Sequence, residues 1–223
     1  INRYCASGLE SIAMATAKIR MGMADCIVAG GTESMSLVPT AGWKTVPAYS
    51  IAKDEPDYYL SMGLTAEEVS KQYKISREEQ DQFSYESHMK AAAAWKENKF
   101  KGEVVPITVK EVYVDENMKK KTREWVVEKD EGIRADTTVE GLSKLKPVFA
   151  AGGTVTAGNS SQTSDGAAFV MVVSEKILKQ FNLKPIARMV SYAAAGVDPR
   201  IMGIGPVAAV PKALEKAGLK YID

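Results

Sequence analysis

The sequence predicts an α/β fold that carries an inserted α+β domain. An amphipathic helix leads directly into a short apolar strand, and a second apolar strand follows only after a long intervening segment. A helix that runs into a buried strand is typical of βαβ winding, in which parallel strands alternate with helices. The intervening segment mixes helical and β-rich stretches, so we interpret it as a domain inserted between two core strands.

The first helix and strand are predicted close to the N-terminus. Ser7 and Glu10 have the spacing of a capping box, and apolar residues recur at helical spacing as far as Gly22. The apolar run 26–31 ends in two glycines, which is typical of a buried parallel strand and its exit loop. We therefore expect Cys26, inside that run, to be a core residue.

The inserted domain is predicted to cover 35–163. A second capping box, formed by Ser76 and Glu79, opens a long helix that ends near Asn98. Between 103 and 130, β-rich stretches alternate with polar segments, which indicates short antiparallel strands.

After the insertion the chain returns to apolar elements. The run 167–173 predicts a second fully buried strand, and a helix follows it at 175–181. A further strand is predicted at 186–192, and Pro206 opens an amphipathic helix.

This order of elements gives a domain assignment. Residues 1–34 and 164–184 form part of one half of the fold, and 185–223 form the start of a second half. Both ends of the chain look cut, since it begins in a turn and stops at 221–223 directly after a helix. We expect it to be the middle of a larger protein.

Charge and composition exclude several classes of function. Lys and Arg total 29 against 28 for Asp and Glu, and the charges are scattered, so no basic face for nucleic acid or an anionic membrane is expected. The run 119–121 is the exception, and we predict a solvated loop there. No apolar stretch reaches the roughly 20 residues of a membrane span. With two cysteines and one histidine, neither a disulfide framework nor a histidine-based zinc site is expected.

Cys5 is the first candidate for chemistry. A free cysteine is as often a packed core residue as a functional one. Its place at a predicted helix start favours function, because the thiolate is the reactive form and unpaired N–H groups at a helix N-terminus stabilise negative charge.

Other candidates carry less information. The loop 152–168 is rich in glycine and hydroxyl side chains, so its backbone could run close to a ligand and offer donors, but a tight loop that closes an inserted domain needs the same residues. The stretch 202–206 could be a plain loop before a helix. His88 lies within a long predicted helix, and we assign it no role.

The segments "NRYCASGLESIA", "AGGTESMS", "SMGLTAEEVS", "SREEQDQFSYESHMKAAAA", "GTVTAGNSSQTSDGAA" and "GVDPRIMGIGP" together resemble the thiolase family, in order and spacing. The resemblance covers essentially the whole chain and implies the thiolase fold: two similar halves in a five-layer α-β-α-β-α structure, with a loop domain inserted in the first half. The chain would hold this fold incompletely.

The resemblance also implies site residues. Cys5 matches the nucleophile that becomes acylated, and Met202 matches a residue near the reacting acyl group. Positions that line the channel for coenzyme A and its pantetheine arm are matched by Met62, Arg134, Phe149, Ala157 and Ser161, with Arg134 near the nucleotide end. Coenzyme A would be a substrate, with no permanently bound cofactor and no metal.

The implied reaction is thiolytic cleavage of a 3-ketoacyl-CoA, or its Claisen reverse, through an acyl-cysteine. Family members carry an activating histidine and an acid/base cysteine in segments this chain does not contain, so we expect the 223 residues alone to be inactive. Biosynthetic acetoacetyl-CoA thiolases usually have His-Met-Gly where Ser61-Met62-Gly63 stands, which favours the degradative type used in fatty acid β-oxidation.

A biosynthetic thiolase and a non-catalytic relative that binds acyl-CoA or lipid are the rival interpretations, while a ketoacyl synthase has a different cysteine context. By analogy we expect a homodimer or homotetramer, located in a bacterial-type cytoplasm, with mitochondrial or peroxisomal location as the alternative.

Overall fold

The computed structural model describes residues 1–220, and the chain divides into two compact units. The first unit comprises Ile1–Val69 and Thr163–Asp223, and the second comprises Ser70–Gln162. The ending predicted at 221–223 lies outside the described residues.

The helices are α1 (Ser7–Arg20), α2 (Tyr49–Asp54), α3 (Met62–Tyr73), α4 (Arg77–Lys96), α5 (Val139–Ser143), α6 (Glu175–Gln180) and α7 (Gly205–Ala217). The strands are β1 (Cys26–Ser34), β2 (Ile107–Val114), β3 (Lys120–Val127) and β4 (Asp165–Val173). Short 3₁₀ helices cover Tyr4–Ala6, Pro56–Tyr59 and Pro199–Ile204.

β1 and β4 pair with each other in the first unit, although the insertion separates them in sequence. Cys26 lies opposite Val173 and Ser34 opposite Asp165, so the two strands are antiparallel. The expectation of a parallel strand at 26–31 is therefore wrong for this pair. An apolar run signals burial but does not encode strand direction, and both arrangements occur in mixed sheets.

α1 packs against this strand pair, while the opposite face is open in the described part of the chain. Ala29 is buried, yet Val28 beside it is 68% exposed and Phe169 on β4 is 59% exposed. Cys26 shares a face with Val28 and is exposed. The predictions of a core Cys26 and of a fully buried strand at 167–173 are thus wrong. Alternation along a strand brings only half of its side chains toward α1, and even on that face Val170, opposite Ala29, is 47% exposed.

The two predicted capping boxes had opposite outcomes. At α4 the box is confirmed: the Glu79 N–H donates to Ser76 Oγ (3.2 Å) and the Ser76 N–H donates to Glu79 Oε2 (2.8 Å). At α1 it is wrong, since Ala6 is the N-cap residue and Ser7 Oγ accepts the backbone N–H of Arg3 instead. The stop is confirmed, because α1 ends just before Gly22, whose φ of 71° suits glycine.

β2 and β3 form an antiparallel hairpin in the second unit, with Val114 opposite Lys120. The β-rich stretches behind the prediction for 103–130 are 104–107, 112–114 and 125–127, and the last two are confirmed as parts of β2 and β3. The first stretch is irregular except for Ile107, which begins β2, and the Val104 N–H donates to the Phe100 carbonyl instead of to a strand. The predicted loop at 119–121 is wrong in part, because β3 begins at Lys120.

The segment after β4 differs from the prediction at one element. The helix predicted after β4 and the helix opened by Pro206 are confirmed as α6 and α7. The strand predicted at 186–192 is not among the strands of the described residues. Side chains take up its carbonyl groups instead: Arg20 donates to the Met189 carbonyl and Lys216 to the Tyr192 carbonyl. A strand needs a neighbouring strand to pair with, and periodicity in one segment cannot supply it.

Candidate active site

Cys5 lies in the short 3₁₀ turn that leads directly into α1. Its thiol is free and the residue is exposed. Tyr4, immediately before it, has a φ of 47°, a left-handed conformation that is costly for a non-glycine residue, by about 1–3 kcal/mol. The Tyr4 N–H is held by Asn2 Oδ1 (2.9 Å), and the Ala6 N–H donates to the Arg3 carbonyl (3.1 Å). The turn presents an accessible thiol at the N-terminal end of a helix.

A charged cluster holds the start of this turn. It consists of Arg3, Glu10 on α1 and Tyr192 from the segment after α6. Arg3 Nη1 donates to Glu10 Oε2 (2.7 Å) and to the Tyr192 hydroxyl oxygen (2.8 Å), and the Tyr192 hydroxyl donates to Glu10 Oε2. The hydrogen bonds from Tyr192 and then Arg3 hold the pKa of Glu10 below its usual value, while the bond to Glu10 raises the pKa of Tyr192. Glu10 is thus ionised and Tyr192 protonated near neutral pH.

Met62 and Met202 lie on elements of the first unit that are tied together. Met62 begins α3, and Met202 lies in the 3₁₀ helix that precedes α7. Arg200, two residues before Met202, donates to Glu68 on α3 (2.8 Å) and lies 3.6 Å from the Asp57 carboxylate. Both methionines expose a large part of their side chains, so each offers apolar surface.

The loop 154–161 in the second unit is organised by its own side chains. Asn159 Oδ1 accepts the Thr156 N–H (2.7 Å), and Asn159 Nδ2 donates to the Thr154 carbonyl (3.0 Å). The Gly158 N–H donates to Thr156 Oγ1 (3.1 Å), and Ser160 Oγ donates to the Thr156 carbonyl (2.6 Å). These donors, which the sequence offers to a ligand, are therefore used to fix the shape of the loop.

α4 supports this loop through a buried carboxylate. Asp81 is 1% exposed and accepts from Arg77 Nε (2.7 Å) and from Asn159 Nδ2 (3.3 Å). Arg77 also donates to the carbonyl groups of Leu142 (2.5 Å) and Leu145 (3.1 Å). A buried charge is tolerated only when it is paired and hydrogen-bonded, and both conditions are met here.

The remaining candidates occupy the surface of the second unit. Phe149, Ala157 and Ser161 are exposed, and Ser161 Oγ donates to the Gln162 carbonyl (3.2 Å). Arg134 is exposed as well, and its backbone N–H donates to Nδ1 of His88 on α4 (3.3 Å). His88 thus helps to hold the segment that carries Arg134, a contact that sequence reasoning missed.

The structure distributes the predicted residues over both units. Cys5, Met62 and Met202 belong to the first unit, and the second holds the rest: Arg134, Phe149, Ala157 and Ser161. The supporting residues Arg77 and Asp81 were also missed, because within a polar capped helix nothing in the pattern marks Asp81 as buried or Arg77 as its partner.

Some kinds of site are not found in the described residues. Within 1–220 no three His, Cys, Asp or Glu side chains are grouped as they would be around a metal ion. No helix in the same range is both long and apolar enough to cross a membrane.

Comparison with known proteins assigns both parts of the chain. Residues 1–176 match the model of the thiolase N-terminal domain, and residues 183–223 match that of the thiolase C-terminal domain. The chain is 50% identical to the 3-ketoacyl-CoA thiolase of Bacillus subtilis and 45% identical to the acetyl-CoA acetyltransferase of Paracoccus denitrificans. All of this chain is covered in both comparisons, against 57% and 58% of the relatives.

A solved thiolase structure also matches this chain. The dimeric peroxisomal thiolase of Saccharomyces cerevisiae superimposes with a TM-score of 0.85 at 36% identity, over 99% of this chain and 54% of that one. The fold is therefore thiolase-like and mixed α/β, and the chain spans little more than half the length of the relatives it matches.

Proposed function

The chain belongs to the thiolase family, and from that premise we propose that the protein containing it cleaves 3-ketoacyl-CoA with coenzyme A, giving acetyl-CoA and a shortened acyl-CoA. The single observation that carries this proposal is the exposed thiol of Cys5 in the turn that opens α1, inside the region matched by the thiolase N-terminal model.

The chemistry follows from the nucleophile. The Cys5 thiolate attacks the 3-keto carbon, and the bond between C2 and C3 breaks, leaving its electron pair on C2 of the departing acetyl-CoA. That carbanion takes up a proton, and the shortened acyl group remains as a thioester on Cys5. The thiol of a second coenzyme A then gives up its proton and attacks the thioester, which releases Cys5. Donors aimed at the thioester oxygen must stabilise the negative charge that develops there.

Residues in both units are proposed to bind the substrate. Met62 and Met202 contribute apolar surface for the acyl and pantetheine parts. In the second unit, the exposed Arg134 binds the nucleotide end of coenzyme A. The wall of the channel is formed by Phe149, Ala157 and Ser161. The internally bonded loop 154–161 suits this role, since a wall that is fixed before binding loses little conformational entropy when coenzyme A arrives.

The whole protein is proposed to form the five-layer thiolase structure as a homodimer or homotetramer in a bacterial-type cytoplasm, with an organelle as the alternative location. Within it we assign 1–34 and 164–184 to the N-terminal half, 35–163 to the loop domain and 185–223 to the C-terminal half. The histidine and second cysteine that the resemblance requires are outside these 223 residues, so we propose that the chain alone turns over no substrate.

A substitution experiment tests the proposed nucleophile. Cys5→Ser should abolish thiolysis by the whole protein, whereas Cys26→Ser, at the other exposed cysteine, should leave the rate unchanged. Equal loss in both variants, or substantial activity in Cys5→Ser, would contradict the proposal. Binding of acyl-CoA by a wild-type protein without any thiolysis would favour the non-catalytic relative instead.

The biosynthetic acetoacetyl-CoA thiolase is a second candidate, favoured by the 45% identity to the acetyl-CoA acetyltransferase. The degradative type is favoured by Ser61, whose hydroxyl accepts the Leu64 N–H (3.4 Å) at the start of α3. Rates with acetoacetyl-CoA and with a long-chain 3-ketoacyl-CoA separate the two. We expect substantial turnover of the long chain, and a strict preference for the four-carbon substrate would reverse the assignment.

A further inference from the structure

Arg3, Glu10 and Tyr192 form a closed hydrogen-bonded triangle next to the proposed nucleophile. One guanidinium nitrogen of Arg3 donates to both partners, and the Tyr192 hydroxyl donates to the same Glu10 oxygen that Arg3 contacts. Glu10 lies one helical turn into α1, and Tyr192 is far away in sequence. The triangle therefore joins the cysteine turn, the body of α1 and the segment after α6.

The cysteine turn needs external support. The hydrogen bonds made by its backbone run from Tyr4 to Asn2, from Arg3 to Ser7 and from Ala6 to Arg3, all within a few residues. A left-handed Tyr4 persists only where the surroundings impose that conformation. Within the described residues, the side chain of Arg3 links this turn to a distant part of the chain, and Tyr192 is its distant partner.

We propose that Tyr192, acting through Arg3 and Glu10, is a positioning residue that fixes the direction in which Cys5 presents its sulfur for acylation. The inference rests on the proposed function and deepens it. Arg3 is the residue that directly precedes Tyr4 and Cys5, so a displacement of its backbone moves the cysteine. A misplacement of about 1 Å at a reacting group is enough to cost up to about 100-fold in rate.

The charges of the triangle suit a positioning role. Because Glu10 is ionised and Tyr192 keeps its proton, the carboxylate accepts from both partners, and Tyr192 also accepts from Arg3. Removing the hydroxyl of Tyr192 takes away the link from Arg3 and Glu10 to the segment after α6 while leaving the Arg3–Glu10 pair in place. Tyr192→Phe is thus the smallest change that isolates the contribution of Tyr192.

Steady-state kinetics of the whole protein test the proposal. Tyr192→Phe should lower kcat for thiolysis at least about tenfold and leave the KM for coenzyme A unchanged, because the proposed coenzyme A contacts are other residues. Tyr49→Phe, at an exposed tyrosine of the same unit, is the matched control and should have wild-type kcat. An unchanged kcat in Tyr192→Phe, or a loss matched by Tyr49→Phe, would overturn the proposal.

A second measurement does not depend on thiolysis. The rates at which iodoacetamide labels Cys5 and Cys26, both free and exposed, can be followed separately by mass spectrometry of their peptides. Tyr192→Phe should lower the ratio of the Cys5 rate to the Cys26 rate at least about threefold, because the sulfur is no longer held at the N-terminal end of α1. An unchanged ratio overturns the positioning role even if the protein proves to have no thiolysis activity, whereas absence of wild-type thiolysis alone overturns the proposed function.

Discussion

The Arg77 guanidinium donates to the Asp81 carboxylate at 2.7 Å, with Asp81 almost completely buried. Asp81 also accepts from Asn159, so one carboxylate on α4 connects a helix turn with the loop proposed to line the coenzyme A channel. The shape of that loop therefore depends on a buried ion pair.

Asp81→Ala should destabilise the second unit by about 3 kcal/mol. The substitution leaves the largely buried Arg77 without its counter-ion and removes an acceptor from Asn159. Urea unfolding measures the change, with Glu86→Ala as the control on the same helix. Glu86 is half-exposed and its ion pair with Lys90 spans 4.0 Å, so that variant should lose less than about 0.5 kcal/mol. Similar losses of unfolding free energy in both variants would contradict the view that the Arg77–Asp81 ion pair stabilises the second unit.

Gly30→Ala should disrupt the β1–β4 pair. A Cβ at Gly30 would lie 2.7 Å from the Phe169 Cα and would also overlap the Ala168 carbonyl, and backbone atoms cannot move aside without breaking the ladder. The expected loss in unfolding free energy is about 3 kcal/mol. At Gly31 an added Cβ meets no atom within 4 Å, so Gly31→Ala should be nearly neutral. Thermal unfolding distinguishes the variants, and equal stability would show that β4 does not lie over Gly30.

Asp165 should make stability depend on pH at the acidic end. The Ser36 hydroxyl and then the Ser36 N–H donate to its carboxylate and hold its pKa below the usual 3.8. A lowered pKa in the folded state adds stability above the unfolded value. That contribution disappears as the pH falls through the folded value.

Unfolding by urea at several pH values tests this sign. The difference in stability between wild type and Asp165→Asn should be present near pH 7 and should shrink steadily at pH values below about 4. A difference that grows on acidification would mean that the protonated form of Asp165 is the one bound by Ser36.

The sequence predicts best those features that depend on neighbouring residues. The capping box at Ser76 and Glu79 needs only one turn of helix, and it forms. Ser7 and Glu10 have the same spacing, but their side chains accept hydrogen bonds from other donors. The Arg3 N–H donates to Ser7 Oγ, and the side chains of Arg3 and Tyr192 donate to the Glu10 carboxylate. A distant partner that competes for the same side chain is invisible in local spacing.

Features that depend on which strands pair, and on which faces of a sheet are covered by other elements, are harder to predict. The antiparallel direction of β1 and β4 and the exposure of Cys26 both follow from which surfaces meet, and apolar runs do not specify that. At the candidate site, the resemblance supplies the residue positions, but the support from Asp81, Asn159 and His88 depends on contacts between residues far apart in sequence, which local patterns do not show. The roles of the seven site residues stay predictions.

The most direct test of the central claim is the mass of the cysteine peptides after the whole protein meets a 3-ketoacyl-CoA without added coenzyme A. We predict that the Cys5 peptide gains the mass of the acyl group shortened by two carbons, while the Cys26 peptide stays unmodified. An acyl group on Cys26, or none on either cysteine in a preparation that binds the substrate, would contradict the assignment of Cys5 as the nucleophile.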